Sequence, residues 1–455
     1  MKERSTAVDM VQGPLVKNII RFAMPVMLSA LLEMLFNAAD TIIVGKFSGQ
    51  HALAAVGATG SIIFLITSLF NGLSSGTNVV IARYLGASEN DKVQKAVHTA
   101  IFTALVGGIF VLAVGFLSTN AFLRGMSTPD DIIDSSALYM HIYWFGAPFI
   151  LLYDFGAAIL RSRGDTKRPF YFLTIAGILN VLLNLLFVIG FRLSVAGVAI
   201  ATVLSQMMAC FLMLRTLLTE EPLIRLYPKK IALHKEILLE IIKIGVPAGI
   251  QGLVFSFSNI VIQSEINKLG SIVVAGNSAA SNIENFVYIG MIGFSQAAIT
   301  FTSQNLGAKK ITRIKNTMLD TLLLNCVSTF LIALIITSFS GTFLSFYTND
   351  MGVIEAGSVR LQCVAFWLWL NGALDIFVGS LRGMGKSFVP TLISLVGICG
   401  VRLSYIASIY PIYGTLRALY YCFPISWVLT GLVQGVLWII EYRRLKKRFS
   451  LGATE

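Results

Sequence analysis

Charge is scarce in this 455-residue sequence: Asp, Glu, Lys and Arg together make up 13% of it, against about 25% in soluble domains. Apolar residues fill the difference at 56%, and the mean hydropathy is +0.77. A soluble fold is excluded on that ground. Histidine is also scarce. His51, His98, His141 and His234 are scattered over loops and helix ends, so neither a metal site nor a histidine relay suggests itself. The five cysteines, Cys210, Cys326, Cys363, Cys399 and Cys422, sit far apart inside apolar runs. They have no metal or disulfide spacing and read as packing residues. A nucleotide loop is missing: GMGKS at 383–387 would need a glycine where Ser380 stands. No nucleophile is clustered with a base, so the chain is not expected to be an enzyme. The ten-residue alternation of a membrane barrel is absent as well.

Long apolar blocks are what the sequence has instead. Twelve can be drawn, at 19–45, 55–82, 96–118, 137–160, 169–190, 195–218, 241–267, 275–303, 317–339, 358–381, 389–410 and 414–440. Each is long enough to cross a hydrocarbon core of about 30 Å, and continuous spans in lipid must be helices. Met1 to Lys17 is polar and the run from Ile19 is too long for a signal h-region, so no cleavable signal is expected. With both termini cytoplasmic, 28 lysines and arginines fall on inside segments, and only Lys46, Arg124, Arg192 and Lys268 fall on outside loops. That asymmetry fits the positive-inside rule and accounts for the net charge of +12 without a nucleic-acid partner. The expected location is the cell membrane, with the lipid bilayer as partner.

The longest connection, 219–240, is polar, carries Pro222 and Pro228, and is expected to end in a short interfacial helix. It divides two segments that resemble each other. IIRFAMP at 19–25 answers IIKIGVP at 241–247, an offset of 222. ARYLGA at 82–87 answers SQNLGA at 303–308, and DFGAAILRSRGDTKRP at 154–169 answers DIFVGSLRGMGKSFVP at 375–390, both at 221. So steady a shift indicates an internal duplication. The expected fold is all-α and integral to the membrane, with twelve helices in two six-helix lobes related by a pseudo-two-fold axis along the membrane normal. The N-terminal lobe spans 1–218, the cytoplasmic linker 219–240, the C-terminal lobe 241–440 and a basic cytoplasmic tail 441–455.

Charged residues within spans are costly and default to functional hypotheses. Helix 1 carries Glu33, Asn37 and Asp40 at spacings of four and three, on one face; helix 5 carries Asn180 and Asn184, and helix 6 carries Thr202. One carboxylate among neutral oxygens suits a hard cation such as sodium, and the same carboxylate could carry a proton instead. The amides and the threonine would also serve as interhelical glue, whereas a lone carboxylate without a basic partner makes poor glue. Glu284 in helix 8 could attract a cationic substrate. Asp154 and Asp375 are equivalent in the two halves, and their nearness to arginines suggests structural ion pairs. Arg402 and Arg417 are open to pairing with acids or to facing an anionic ligand. Pro25 and Pro247 occupy matching places in helices 1 and 7, as static kinks or as hinges.

The quoted blocks, together with FNAADTIIVGKFSG at 36–49 and GVAIATVLSQ at 197–206, resemble the multidrug and toxic compound extrusion (MATE) family over residues 13 to 440. The resemblance implies secondary antiport, in which sodium ions or protons enter while organic, often cationic, compounds leave. It also implies a cation site in the N-terminal lobe made of Asp40, Asn180, Asn184, Thr202 and, through its carbonyl, Val198. Glu33 stands where the family usually has an amide; a second proton carrier and a substrate contact are both open to it, as a cavity role is to Asn37. Phe255 and Asn371 stand where some members carry acids in helices 7 and 10, which argues against a C-lobe ion site of that kind. Allowing small gaps, Asp40 answers to Ile262, Asn180 to Gly400 and Thr202 to Leu419, so the ion site belongs to the N-terminal half.

The expected partners are a small organic substrate and the bilayer. No cofactor, nucleotide or metal is expected beyond the coupling ion, and the two-lobed chain is expected to act as a monomer. The alternative is a flippase for a lipid-linked precursor. It would need several basic residues in its cavity, and only Arg360, Arg402 and Arg417 lie outside the loops.

Overall fold

Backbone groups in lipid have no partner outside their own segment, and the chain answers with helix throughout. The computed structural model describes residues 7–126 and 128–451, and no strand occurs among them. Lys2 and Arg4 of the charge count lie outside the described residues, as does the end of the basic tail. Twelve helices are long and apolar enough to cross a membrane. Helices 1 to 6 are Leu15–Phe47, Gly49–Gly86, Asn90–Gly125, Asp130–Ser162, Lys167–Gly190 and Ser194–Thr219. Helices 7 to 12 are Lys235–Asn267, Ser271–Gly307, Ile311–Ser338, Met351–Gly383, Phe388–Tyr413 and Leu416–Ser450. Ten of the twelve apolar blocks lie within these bounds and the other two overrun one end by a residue or two, because hydropathy marks the lipid-crossing part while the helices continue through polar turns. Helix 5 ends in a six-residue π turn, Leu185–Gly190, and helix 11 is interrupted by another at Leu395–Gly400.

The linker carries no separate interfacial helix. After helix 6 it makes one 3-10 turn, Pro228–Lys230, and helix 7 then begins directly at Lys235. Two histidines hold it against helix 3. His98 Nε2 accepts from the Tyr227 N–H at 3.1 Å, and the His234 N–H donates to Thr99 Oγ1 at 3.2 Å. Gln94 donates to the carbonyls of Pro222 and Leu223, while Glu220 pairs with Arg163 and Arg168.

Two compact units result. The first holds Leu28–Gly249, and the second holds Asp9–Met27 with the chain from Ile250 onward. This division differs from one made at the linker: the first part of helix 1 packs in the second unit, and the first part of helix 7 packs in the first. Each changeover falls two residues past a proline inside the helix, Pro25 and Pro247.

Glycine makes these cross-packed segments possible. In the first unit, Gly72 and Gly76 of helix 2 face Gly245 and Gly249 of helix 7. A Cβ on Gly72 would sit 2.3 Å from the Gly245 carbonyl oxygen and 2.4 Å from the Gly249 nitrogen. Both pairs have the small-xxx-small spacing that lets membrane helices approach closely. Within the second unit, Gly293 of helix 8 stands 221 residues after Gly72, and its Cβ would sit 2.8 Å from the Ala23 carbonyl oxygen of helix 1. The obstacles at Gly72 are backbone atoms that no rotamer change can move. Gly72→Ala should therefore cost about 1–3 kcal/mol through overpacking and lower the melting temperature of the purified protein. Gly60→Ala on the same helix meets nothing within 4 Å and should leave it unchanged or slightly raised.

Candidate functional site

The first unit brings most of the expected cation residues together. Asn184 ends the regular part of helix 5, directly before its π turn; such irregularities recur at functional sites. The Asn184 amide donates to Asp40 Oδ1 at 2.5 Å and to Asn180 Oδ1 at 3.2 Å. Its own Oδ1 is buried without a hydrogen-bond partner. Asn180 is 5% exposed and Asn184 fully buried, whereas Asp40 is half-buried and Glu33 and Asn37 are exposed.

A cavity of about 250 Å³ opens beside these groups. Asp40, Asn180 and Thr202 line it, with Glu33 and Asn37 from helix 1. Val198 is fully buried, and its carbonyl accepts the Thr202 hydroxyl at 3.0 Å, one bond behind the wall. No lining residue is basic, and no ion pair among the described residues involves Asp40 or Glu33. The donor set is thus a carboxylate, two amide oxygens and a hydroxyl, all hard oxygen ligands. The orphaned Asn184 oxygen fits a cation, since a buried acceptor left unmade is costly. Gly177 sets the distance between helices 1 and 5: a Cβ there would fall within 2.2 Å of three atoms of the Phe36 ring.

Four wall residues escaped sequence reasoning: Tyr139, Tyr143, Ser205 and Gln206. The signal was present in part. Tyr139 and Tyr143 are four apart on helix 4, and Gln206 follows Thr202 by four on helix 6, the same spacing that marked Asn180 and Asn184.

The second unit has a larger cavity, about 420 Å³, with Glu284, Arg360, Asp375 and Arg402 on its walls. Glu284 is not a free acid. Arg360 holds it in a two-pronged pair, Nε to Oε1 at 2.9 Å and Nη2 to Oε2 at 2.7 Å, and also donates to Asn277 Oδ1. Tyr420 donates to the same oxygen at 3.0 Å. Phe255 and Asn371, which stand where some members of the resembling family carry acids, both line this cavity.

The ion pairs expected of Asp154 and Asp375 do not form: neither has a basic group within 4 Å among the described residues. Several arginines at the turns instead meet acids close to the linker or in the turns themselves. Arg83 pairs with Glu240, Arg163 with Glu220 and Glu221, and Arg168 with Asp165 and Glu220. Arg382, the arginine of the turn after Asp375, donates to Gln251 at 3.1 Å. Arg417 has no ion pair among the described residues.

A duplicated twelve-helix membrane protein with a polar cavity inside each unit has the form of a polytopic transporter. The MatE family model matches residues 25–186 and again 247–406, once in each half, and the chain belongs to the MatE family. It is 29% identical over 394 residues to the probable multidrug resistance protein YoeA of Bacillus subtilis, with 84% of each chain covered. To the probable multidrug resistance protein YpnP of the same organism it is 27% identical over 403 residues, covering 88% of this chain and 90% of the other. Its fold matches an outward-facing multidrug resistance MATE family transporter of the MOP superfamily with a TM-score of 0.90 at 21% identity, over 98% of this chain and all of that one.

The Glu284–Arg360 pair can be tested by stability. Arg360→Ala leaves a carboxylate buried and unpaired and should cost about 3–5 kcal/mol, read as a large fall in melting temperature. The double variant Glu284→Gln/Arg360→Met removes both charges and should recover most of that loss.

Proposed function

We propose that this protein is a secondary active antiporter that exports organic compounds in exchange for sodium ions or protons by alternating access. The observation that carries this reading is the Asp40–Asn184–Asn180 cluster, a carboxylate with amide support, one orphaned oxygen and no basic neighbour, on the wall of a base-free cavity. A charge within lipid needs a partner, and here the coupling ion is that partner. Asp40, Asn180, Asn184 and Thr202 hold it, with Val198 positioning Thr202. Glu33 and Asn37 on the same exposed face receive a proton or a cationic substrate. The naming of the relatives as multidrug resistance and multidrug export proteins supports organic cargo. The excess of basic residues on one set of connections supports cytoplasmic termini, and the proposed working unit is the monomer.

Pro25 and Pro247 act as hinges in this reading. The changeover between compact units falls just beyond each of them, where a missing backbone bond makes bending least costly. A flippase for a lipid-linked precursor would need several free basic groups around its cargo. Of the two arginines in the larger cavity, Arg360 is already spent on Glu284.

Purified protein in proteoliposomes, loaded with a cationic dye and driven by a sodium or a pH gradient, tests the assignment. Asp40→Asn should bring gradient-driven efflux to background while the melting temperature stays near that of the parent. Efflux that survives this substitution unchanged would refute Asp40 as the coupling residue. Asn184→Ala should raise the half-saturating sodium concentration about 10–100-fold, as loss of a supporting ligand does. If protons drive transport, it should shift the pH profile instead.

A further inference from the structure

The charges around the larger cavity do not cancel one another locally. Both oxygens of Glu284 are taken by Arg360. Arg402, on helix 11 and 5% exposed, has no carboxylate within 4 Å among the described residues. Its hydrogen bonds go to neutral groups: Nε donates to Ser426 Oγ at 3.1 Å and Nη1 to Asn259 Oδ1 at 3.3 Å. The guanidinium lies over the Phe423 ring, 4.3 Å from its centroid, with Trp427 at 5.8 Å.

These facts need a common cause. A guanidinium does not lose its proton in a protein, so Arg402 keeps a full charge in the interior of a membrane protein. Two neutral hydrogen bonds and two aromatic faces hold its position without offsetting that charge. Stacking on a ring leaves the edge of the N–H fork available to a planar anion, and a carboxylate accepts such a fork through two parallel bonds. Aromatic rings beside it, Phe423, Trp427 and Tyr288, offer flat apolar faces. Asp375, on the same cavity's wall and also without an ion pair, repels a second anionic group.

We infer that the cavity of the second unit binds amphipathic organic acids, with a single carboxylate docked on Arg402 and the ring system against Phe423 and Trp427. The inference rests on the exporter reading for its purpose and specifies the chemistry of one class of cargo. Binding itself is measured without a gradient, so its failure is distinct from a failure of ion coupling.

The test uses the full-length protein in detergent and three probes that share one fluorophore: dansylglycine, its methyl ester, and dansylcadaverine, which carries an ammonium. Saturable fluorescence enhancement is expected with dansylglycine, and affinities roughly tenfold weaker with the other two. Arg402→Gln should weaken dansylglycine roughly tenfold and leave the ester unchanged, the ester serving as the check that the cavity still folds. Arg402→Lys should recover part of the loss. Absence of saturable dansylglycine binding overturns the inference. So does dansylcadaverine binding as tightly as the acid, or an Arg402→Gln variant that holds the acid as well as the parent.

Discussion

A charge inside a membrane protein must be met by another charge, by strong hydrogen-bond donors or acceptors, or by a ligand. Each unit of this protein can be understood from how its charges are met. Glu284 and Arg360 meet each other in a geometry that uses both carboxylate oxygens, and nothing remains for a ligand to do there. Asp40 is met only by an amide, whose own oxygen is left without a partner. Arg402 is met by a hydroxyl, an amide oxygen and two aromatic faces. A pair that closes on itself stabilises the unit, while a charge held in place by neutral groups is kept ready for something that arrives. By this criterion the proposed roles fall to Asp40 and Arg402, while Glu284 is paired within its own unit.

The same constraint governs the scaffold. With backbone bonds confined to each helix, helices can approach one another closely only where side chains are missing, and Gly72, Gly76, Gly245 and Gly249 supply that in the first unit. A proline between two such glycines, as Pro247 lies between Gly245 and Gly249, weakens the helix at the point where its packing is tightest. The glycine contacts of helix 7 end at Gly249, two residues past the proline, and the chain beyond it packs in the other unit. In helix 1, which has no glycine beside Pro25, the close approach is supplied from the other side by Gly293 of helix 8, and the changeover again falls just past the proline.

How far the sequence could be read follows from the range of each interaction. Span positions and the duplication depend on local hydropathy and on repeated strings, and both were legible. So was the shared face of Glu33, Asn37 and Asp40, because helical spacing alone decides it. The meeting of Asp40 with Asn184 joins residues 144 apart, which helical spacing alone does not decide. The Glu284–Arg360 pair, 76 residues apart, left no such trace, so Glu284 looked free. Asp154 and Asp375 misled in the opposite way, since nearness along the chain to arginines suggested ion pairs, whereas Arg382, for one, turns its Nη2 to Gln251. The exchange of the first parts of helices 1 and 7 was hidden by the duplication itself. Two segments as similar as IIRFAMP and IIKIGVP carry nothing that says which neighbour each will choose.

Duplication also explains why the two cavities differ. A gene doubled from one half begins with identical interiors, and selection can then change one without losing the other. The first interior retained acids and amides and no base, a set suited to small hard cations. The second has Ile262 and Gly400 where symmetry would place Asp40 and Asn180, and two arginines, Arg360 and Arg402, stand on its wall where the first has no base. An ion and an organic molecule impose opposite demands: one wants a tight ring of oxygens, the other wide apolar faces with one anchoring charge. A single pocket meets both poorly. Two copies of one scaffold, each free to specialise, can meet them separately, and in the proposed reading the asymmetry of the charges records that division.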